Sequence, residues 1–157
     1  MFSIGDMVCY PMHGIGQIEA IEEQEVLGKT AEYYIIQLIN NRVTAMIPVK
    51  NADIVGLRNI ISPEDAQDII QYYRTAKPEI GSNNWNQRYR ENMDKLKTGT
   101  LRDVADVILC LKKRNSIKGL SSGERRMLAT ASGIFVSELA YALSATEKEV
   151  QKKLRVH

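Results

Sequence analysis

Few residue pairs in this 157-residue chain could do covalent chemistry. His13 stands in the turn Pro11-Met12-His13-Gly14, close in sequence to Cys9, and His157 is the last residue. A thiol beside an imidazole is the minimum of a nucleophilic pair. Such a pair still needs a third group to orient the base, and a histidine entering a hairpin more often serves local backbone groups. Gly14-Ile15-Gly16 is not followed by a helical pattern, so it is no dinucleotide fingerprint. Zinc-ligand spacing, a phosphate loop and a nucleophile elbow do not appear in the sequence. Cys9 and Cys110 are far apart in apolar stretches, which argues against a disulfide framework and a metal site. The expectation is a non-enzymatic protein with no cofactor and no metal.

The residues that could bind an anion are more numerous. The single tryptophan, Trp85, is followed by Arg88, Arg90, Lys95 and Lys97. At about 100° per residue, Trp85, Tyr89, Met93 and Leu96 share one apolar sector of a helix. Two readings are open. Trp85 closes the core face of that helix, or it stands out as an apolar wedge of the kind that enters between base steps from the minor groove, with the flanking cations on phosphates. Lys112-Lys113-Arg114 and Lys118 end a later helix, where cations complement the dipole, and read as solvated surface. Arg125-Arg126 fall in a first helical turn, where cations oppose the dipole; a local rule broken without visible gain points to a functional use. The net charge of +2 divides unevenly. Residues 1–60 hold 4 Lys+Arg against 7 Asp+Glu, and residues 61–157 hold 17 against 12. The basic second part suits an anionic partner such as nucleic acid.

Two periodicities position these residues. Met7–Tyr10, Ile15–Ile21, Glu32–Ile39 and Val43–Ile47 read as short strands. Asn40-Asn41 is placed to take the positive φ of a hairpin, and Gly28-Lys29 separates two further strand candidates. Four or five short antiparallel strands fit a small, twisted barrel. Val43–Ile47, ending at Pro48, is the expected edge strand, and Thr44 the donor through which a partner strand would pair. Near residue 60 the period switches from about 2 to about 3.6. Ser62-Pro63-Glu64-Asp65, Asn84-Trp85-Asn86-Gln87, Thr100 with Asp103, Ser121-Ser122-Gly123-Glu124 and Ser144-Ala145-Thr146-Glu147 read as helix starts, and Gly99 and Gly119 as stops. About five helices are predicted over 62–155, with a loop at 76–83 and a core stripe along 127–143. The predicted class is α+β, with a barrel over 1–60 and an all-α bundle over 61–157. No apolar run reaches the length of about 18 residues that a membrane span needs, and the N-terminus lacks a secretory pattern. A cytoplasmic protein without membrane contact is expected.

Longer stretches of the sequence carry a resemblance. Phe2-Ser3-Ile4-Gly5-Asp6-Met7-Val8-Cys9-Tyr10-Pro11-Met12-His13-Gly14-Ile15-Gly16, Tyr33-Tyr34, Pro48 and Gly56-Leu57-Arg58 are similar to the CarD family of bacterial transcription regulators. So are Trp85-Asn86-Gln87-Arg88-Tyr89-Arg90-Glu91-Asn92, Lys95-Leu96-Lys97-Thr98-Gly99 and Leu120 to Leu128. The resemblance implies a Tudor-like antiparallel barrel that docks on the RNA polymerase β subunit. It also implies a helical domain that touches promoter DNA in the minor groove at the upstream edge of the bubble, weakly and without sequence preference. The family's wedge falls on Trp85, its basic DNA contacts on Arg88, Arg90 and Arg125, and its polymerase-facing strand positions on Gln24 and Met46. Family members can carry arginine at both of the last two, so strand pairing or apolar contact carries more of the docking here. The protein is then a regulator that stabilises the open complex, nucleoid-associated through polymerase. The alternative is a protein–protein adaptor of the transcription machinery in which Trp85 belongs to the core.

Overall fold

A computed structural model describes residues 1–155; His157 lies outside them. Five antiparallel strands come first: β1 (Met7–Tyr10), β2 (Gly14–Val26), β3 (Lys29–Leu38), β4 (Thr44–Pro48) and β5 (Arg58–Asn59). They form one sheet in the order β4-β3-β2-β1-β5. Val8, Ile18, Tyr34, Ile36, Leu38 and Ile47 make its core. Gly16 is required where β2 meets β3, because a Cβ there would come within 2.7 Å of the Ile36 side chain and 2.8 Å of the Gln37 carbonyl.

β2 and β3 extend beyond the predicted strands, as far as Val26 opposite Lys29. Leu27 and Gly28 close this hairpin with φ of 53° and 78°, the pair of left-handed residues that a two-residue turn demands. In the β3–β4 loop the positive φ falls on Arg42 rather than on Asn40 or Asn41. The Asn41 side-chain oxygen instead accepts the Val43 N–H at 3.1 Å, standing in for a backbone acceptor.

Five helices follow: α1 (Pro63–Thr75), α2 (Trp85–Thr98), α3 (Leu101–Ile117), α4 (Ser122–Leu143) and α5 (Glu147–Leu154). Ser62, Asn84, Thr100 and Ser121 cap the first four by accepting a backbone N–H three residues on. The last cap differs from the expected Ser144–Glu147 box. Ser144 is left-handed and ends α4, so Thr146 and Glu149 form the reciprocal box that starts α5. Val104, Ile108 and Leu111 of α3 pack with Ala131, Phe135 and Leu139 of α4 and Val150 of α5. No single helix among the described residues is long and apolar enough to cross a membrane.

Sheet and bundle meet at a polar clasp. The Arg58 guanidinium donates to both Glu138 carboxylate oxygens at 2.7 and 2.8 Å and to the Gly99 carbonyl at 2.8 and 3.0 Å. Glu138, fully buried, also accepts the Ile61 N–H at 3.1 Å. Gly99 carries φ 79° to cap α2, and a Cβ there would sit 2.6 Å from Pro11, so the Tyr10-Pro11 turn can close on it. Burial, helped by the Glu138 charge, pushes the Cys9 thiol up to about 12, which keeps it a thiol at neutral pH. His13 lies against the Tyr10 ring, with centroids 4.3 Å apart.

Candidate functional site

Asn84 starts α2 by accepting the Gln87 N–H at 3.0 Å, which places Trp85 in the first turn. Gln87 does not return the bond, because the Asn84 N–H donates instead to Ser82 Oγ at 3.1 Å, while the Gln87 amide donates to Glu91 at 2.9 Å. The indole is neither core nor loose. Trp85 is 43% exposed, its ring stacks on Tyr89 with centroids 5.2 Å apart and planes at 22°, and its Nε1–H donates to Ser121 Oγ at 2.9 Å.

The inward line of α2 is Arg88, Asn92 and Leu96, all buried, while Tyr89 and Met93 are half-buried beside it. Arg88 therefore departs from its expected place on a phosphate. Its Nε and Nη2 donate to the two Glu124 oxygens at 2.7 and 3.1 Å, and its Nη1 to the Ser82 carbonyl at 2.8 Å. The paired side chains are 5% and 2% exposed. Arg88 and then the Ser121 N–H and hydroxyl hold the Glu124 carboxyl below its usual range, so the pair is fully ionised at neutral pH.

The basic run at the end of α3 also has a task other than meeting solvent. Lys113 donates to the Pro78 carbonyl at 3.1 Å, Arg114 to the Ile80 carbonyl at 3.3 Å, and Lys118 to the Asn83 side chain at 3.2 Å. With Arg88 on Ser82, four basic side chains strap the 76–83 loop, whose carbonyls have no regular ladder to join. That loop leads directly to Asn84 and Trp85, so the straps fix where the ring starts. Arg90, Arg125 and Arg126 are exposed. The ion pairs among the described residues, Arg58–Glu138 and Arg88–Glu124, leave these three cations free. Ser121 touches Trp85 and caps α4, so Arg125, one turn on, shares the Trp85 end of the bundle.

The residues expected to meet a protein lie together elsewhere, on the sheet. β4 is an edge strand. The Leu38 N–H donates to the Val43 carbonyl at 2.9 Å, so by the alternation of antiparallel pairing Ala45 and Ile47 face β3, while the backbone groups of Thr44 and Met46 point outward. Thr44 stands opposite Gln37, Met46 opposite Ile35, and Gln24 opposite Ala31, which puts all three on one face of the sheet. Ile35, Tyr33 and Ala31 of β3 are half-buried on that face, and Met46 is 49% exposed. Sequence reasoning missed Tyr33 and Ile35. The signal was present: Tyr33-Tyr34-Ile35-Ile36 is apolar on both parities, more than a strand with one solvated face requires.

Two family models match. Residues 2–61 match the CarD-like/TRCF RID domain, a Tudor-like fold that agrees with the antiparallel sheet. Residues 68–155 match the CarD C-terminal domain. The chain is 36% identical over 154 residues to "Putative transcription factor YdeB" of Bacillus subtilis (strain 168), covering 96% of this chain and 98% of that protein. The residues that carry the resemblance, the two domains in their order and this full-length relative agree: the chain belongs to the CarD family of transcription regulators.

Proposed function

We propose that this protein docks on the RNA polymerase β subunit through the β4 edge and the sheet face bearing Gln24, Thr44 and Met46. From there it holds Trp85 against the upstream edge of the promoter bubble and stabilises the open complex. The observation that carries the reading is the half-exposed Trp85 ring at a bundle end that also offers Arg90 and Arg125. The adaptor reading needs a buried tryptophan. The role of Arg88 in this mechanism is to set the α2 N-terminus, while Arg90 and Arg125 contact phosphates. Tethering to polymerase raises the local concentration of DNA, so weak and sequence-independent contact suffices. The ring favours the open complex to the extent that it binds open DNA better than closed. A polymerase partner places the protein in the cytoplasm, at the nucleoid.

Two substitutions test the parts separately. Thr44→Pro removes one outward N–H from an edge strand that tolerates proline. Capture of polymerase should fall about fivefold, the equivalent of one hydrogen bond of about 1 kcal/mol. Undiminished capture by a folded Thr44→Pro protein rules out strand pairing. Arg125→Glu should leave capture intact, weaken binding to fork-junction DNA in the polymerase complex, and lower the slope of log affinity against log salt by about one. An unchanged slope removes Arg125 from the phosphate contacts.

A further inference from the structure

We propose that Ser121 is the positioning residue for Trp85 and that, together with Tyr89, it makes the indole a one-faced platform, which stacks on a single base and forms no hydrogen bond to it. The inference rests on the reading of Trp85 given above and adds residues and a recognition mode to it. A serine hydroxyl has one proton to give and two lone pairs. At Ser121 all three are engaged. The oxygen accepts the Trp85 Nε1–H at 2.9 Å and the Glu124 N–H at 3.2 Å, and the hydroxyl donates to Glu124 Oε1 at 3.1 Å. Glu124 is itself gripped by the buried Arg88. The hydroxyl therefore has a single orientation, and the indole nitrogen is directed to it.

The remaining surface of the ring is divided just as clearly. Tyr89 covers one face. Gly123 lies alongside both rings: a Cβ there would stand 3.6 Å from Tyr89 and 3.9 Å from Trp85. Trp85 is nevertheless 43% exposed, and the face turned away from Tyr89 is the one left for a ligand. A ring with a neighbour already stacked behind it cannot slide between two bases. It can end a stack, so the binding partner is the exposed face of one base at the junction of duplex and bubble. With Nε1–H bonded inside the protein, the ring carries no donor that distinguishes one base from another, and its contact is tolerant of sequence.

Trp85 is the only tryptophan, so its fluorescence reports this ring alone. Full-length Ser121→Ala, Ser121→Thr and Trp85→Ala proteins are compared well below their melting temperatures, because the alanine also removes the α4 cap. In the free protein, acrylamide quenching of Trp85 should rise in Ser121→Ala and return to the wild-type value in Ser121→Thr. On polymerase, the open-complex lifetime should fall about two- to tenfold in Ser121→Ala, the range of one hydrogen bond, and recover in Ser121→Thr. The loss caused by Trp85→Ala should be the same for all four base pairs at the junction. Unchanged quenching in Ser121→Ala overturns the positioning role. An unchanged lifetime in Ser121→Ala, where Trp85→Ala shortens it, does the same, and a base-dependent Trp85→Ala effect overturns the one-faced mode. If Trp85→Ala leaves the lifetime unaltered, the proposed role of Trp85 at the bubble edge fails, and the quenching comparison still decides whether Ser121 holds the ring.

Discussion

Trp85→Ala is expected to shorten the lifetime of the promoter open complex by about five- to 150-fold, the equivalent of the roughly 1–3 kcal/mol lost when a base-stacking aromatic is removed. Polymerase capture should be unchanged, because the proposed docking face is on the sheet. The argument turns on exposure. A buried tryptophan cut to alanine costs about 3–5 kcal/mol of folding stability, but this ring is 43% exposed and is held at its edge by Ser121 and on one face by Tyr89. Its loss should lower the melting temperature less than a core truncation does. Trp85→Phe keeps a stacking face and loses the Ser121 bond, so its lifetime should fall between the two. Thermal unfolding and open-complex lifetime, measured on the same samples, separate the roles. A deep loss of stability with a normal lifetime per folded molecule would return Trp85 to the core.

Arg88→Ala should act first on stability. It strands the Glu124 carboxylate in a site where that side chain is 2% exposed. Breaking a buried pair by removing one partner costs about 3–5 kcal/mol. For a chain of this length each kcal/mol is worth about 2–4 °C, so the melting temperature should drop by about 6–20 °C. Arg88→Lys keeps the charge but lacks the fork that reaches both Glu124 oxygens and Ser82, and should recover part of the loss. Arg90→Ala, at an exposed position, should stay within about 0.5 kcal/mol. Differential scanning calorimetry of the three variants checks this. An Arg88→Ala protein that melts with the wild type and fails only on DNA would make Arg88 a phosphate contact after all.

The contrast between Trp85 and Arg88 shows which features could be read along the chain. Asn84 and Ser121 announce their helices through bonds that span three residues, so the first-turn position of Trp85 follows from local chemistry. The switch of period near residue 60, the stripe through Ala131, Phe135 and Leu139, and the exposed cations at Arg90 and Arg125 are local in the same sense. Even the error at the last helix is a local ambiguity: Ser144 and Thr146 both offer a hydroxyl, and the left-handed turn that ends α4 takes the first.

What could not be read is what depends on partners far away in sequence. An arginine on a helix is outward by default, and Arg88 points inward because Glu124, 36 residues on, neutralises it. Arg114 looks like solvated surface until the 76–83 loop presents the Ile80 carbonyl to it, while Lys113 and Lys118 stay exposed and reach the same loop through their ammonium ends. Trp85 could be placed on its helix from Asn84, but not on the inside or the outside of the protein. That was settled by Ser121, which meets the ring only once the N-terminal ends of α2 and α4 come together, whereas Tyr89 stacks on it from one turn further along α2. Local hydrogen bonds and apolar periodicity act over one or two turns and are written in neighbouring residues. The direction of a charged or amphipathic side chain depends on whether burial is compensated by a partner, and that partner exists only when the chain has folded.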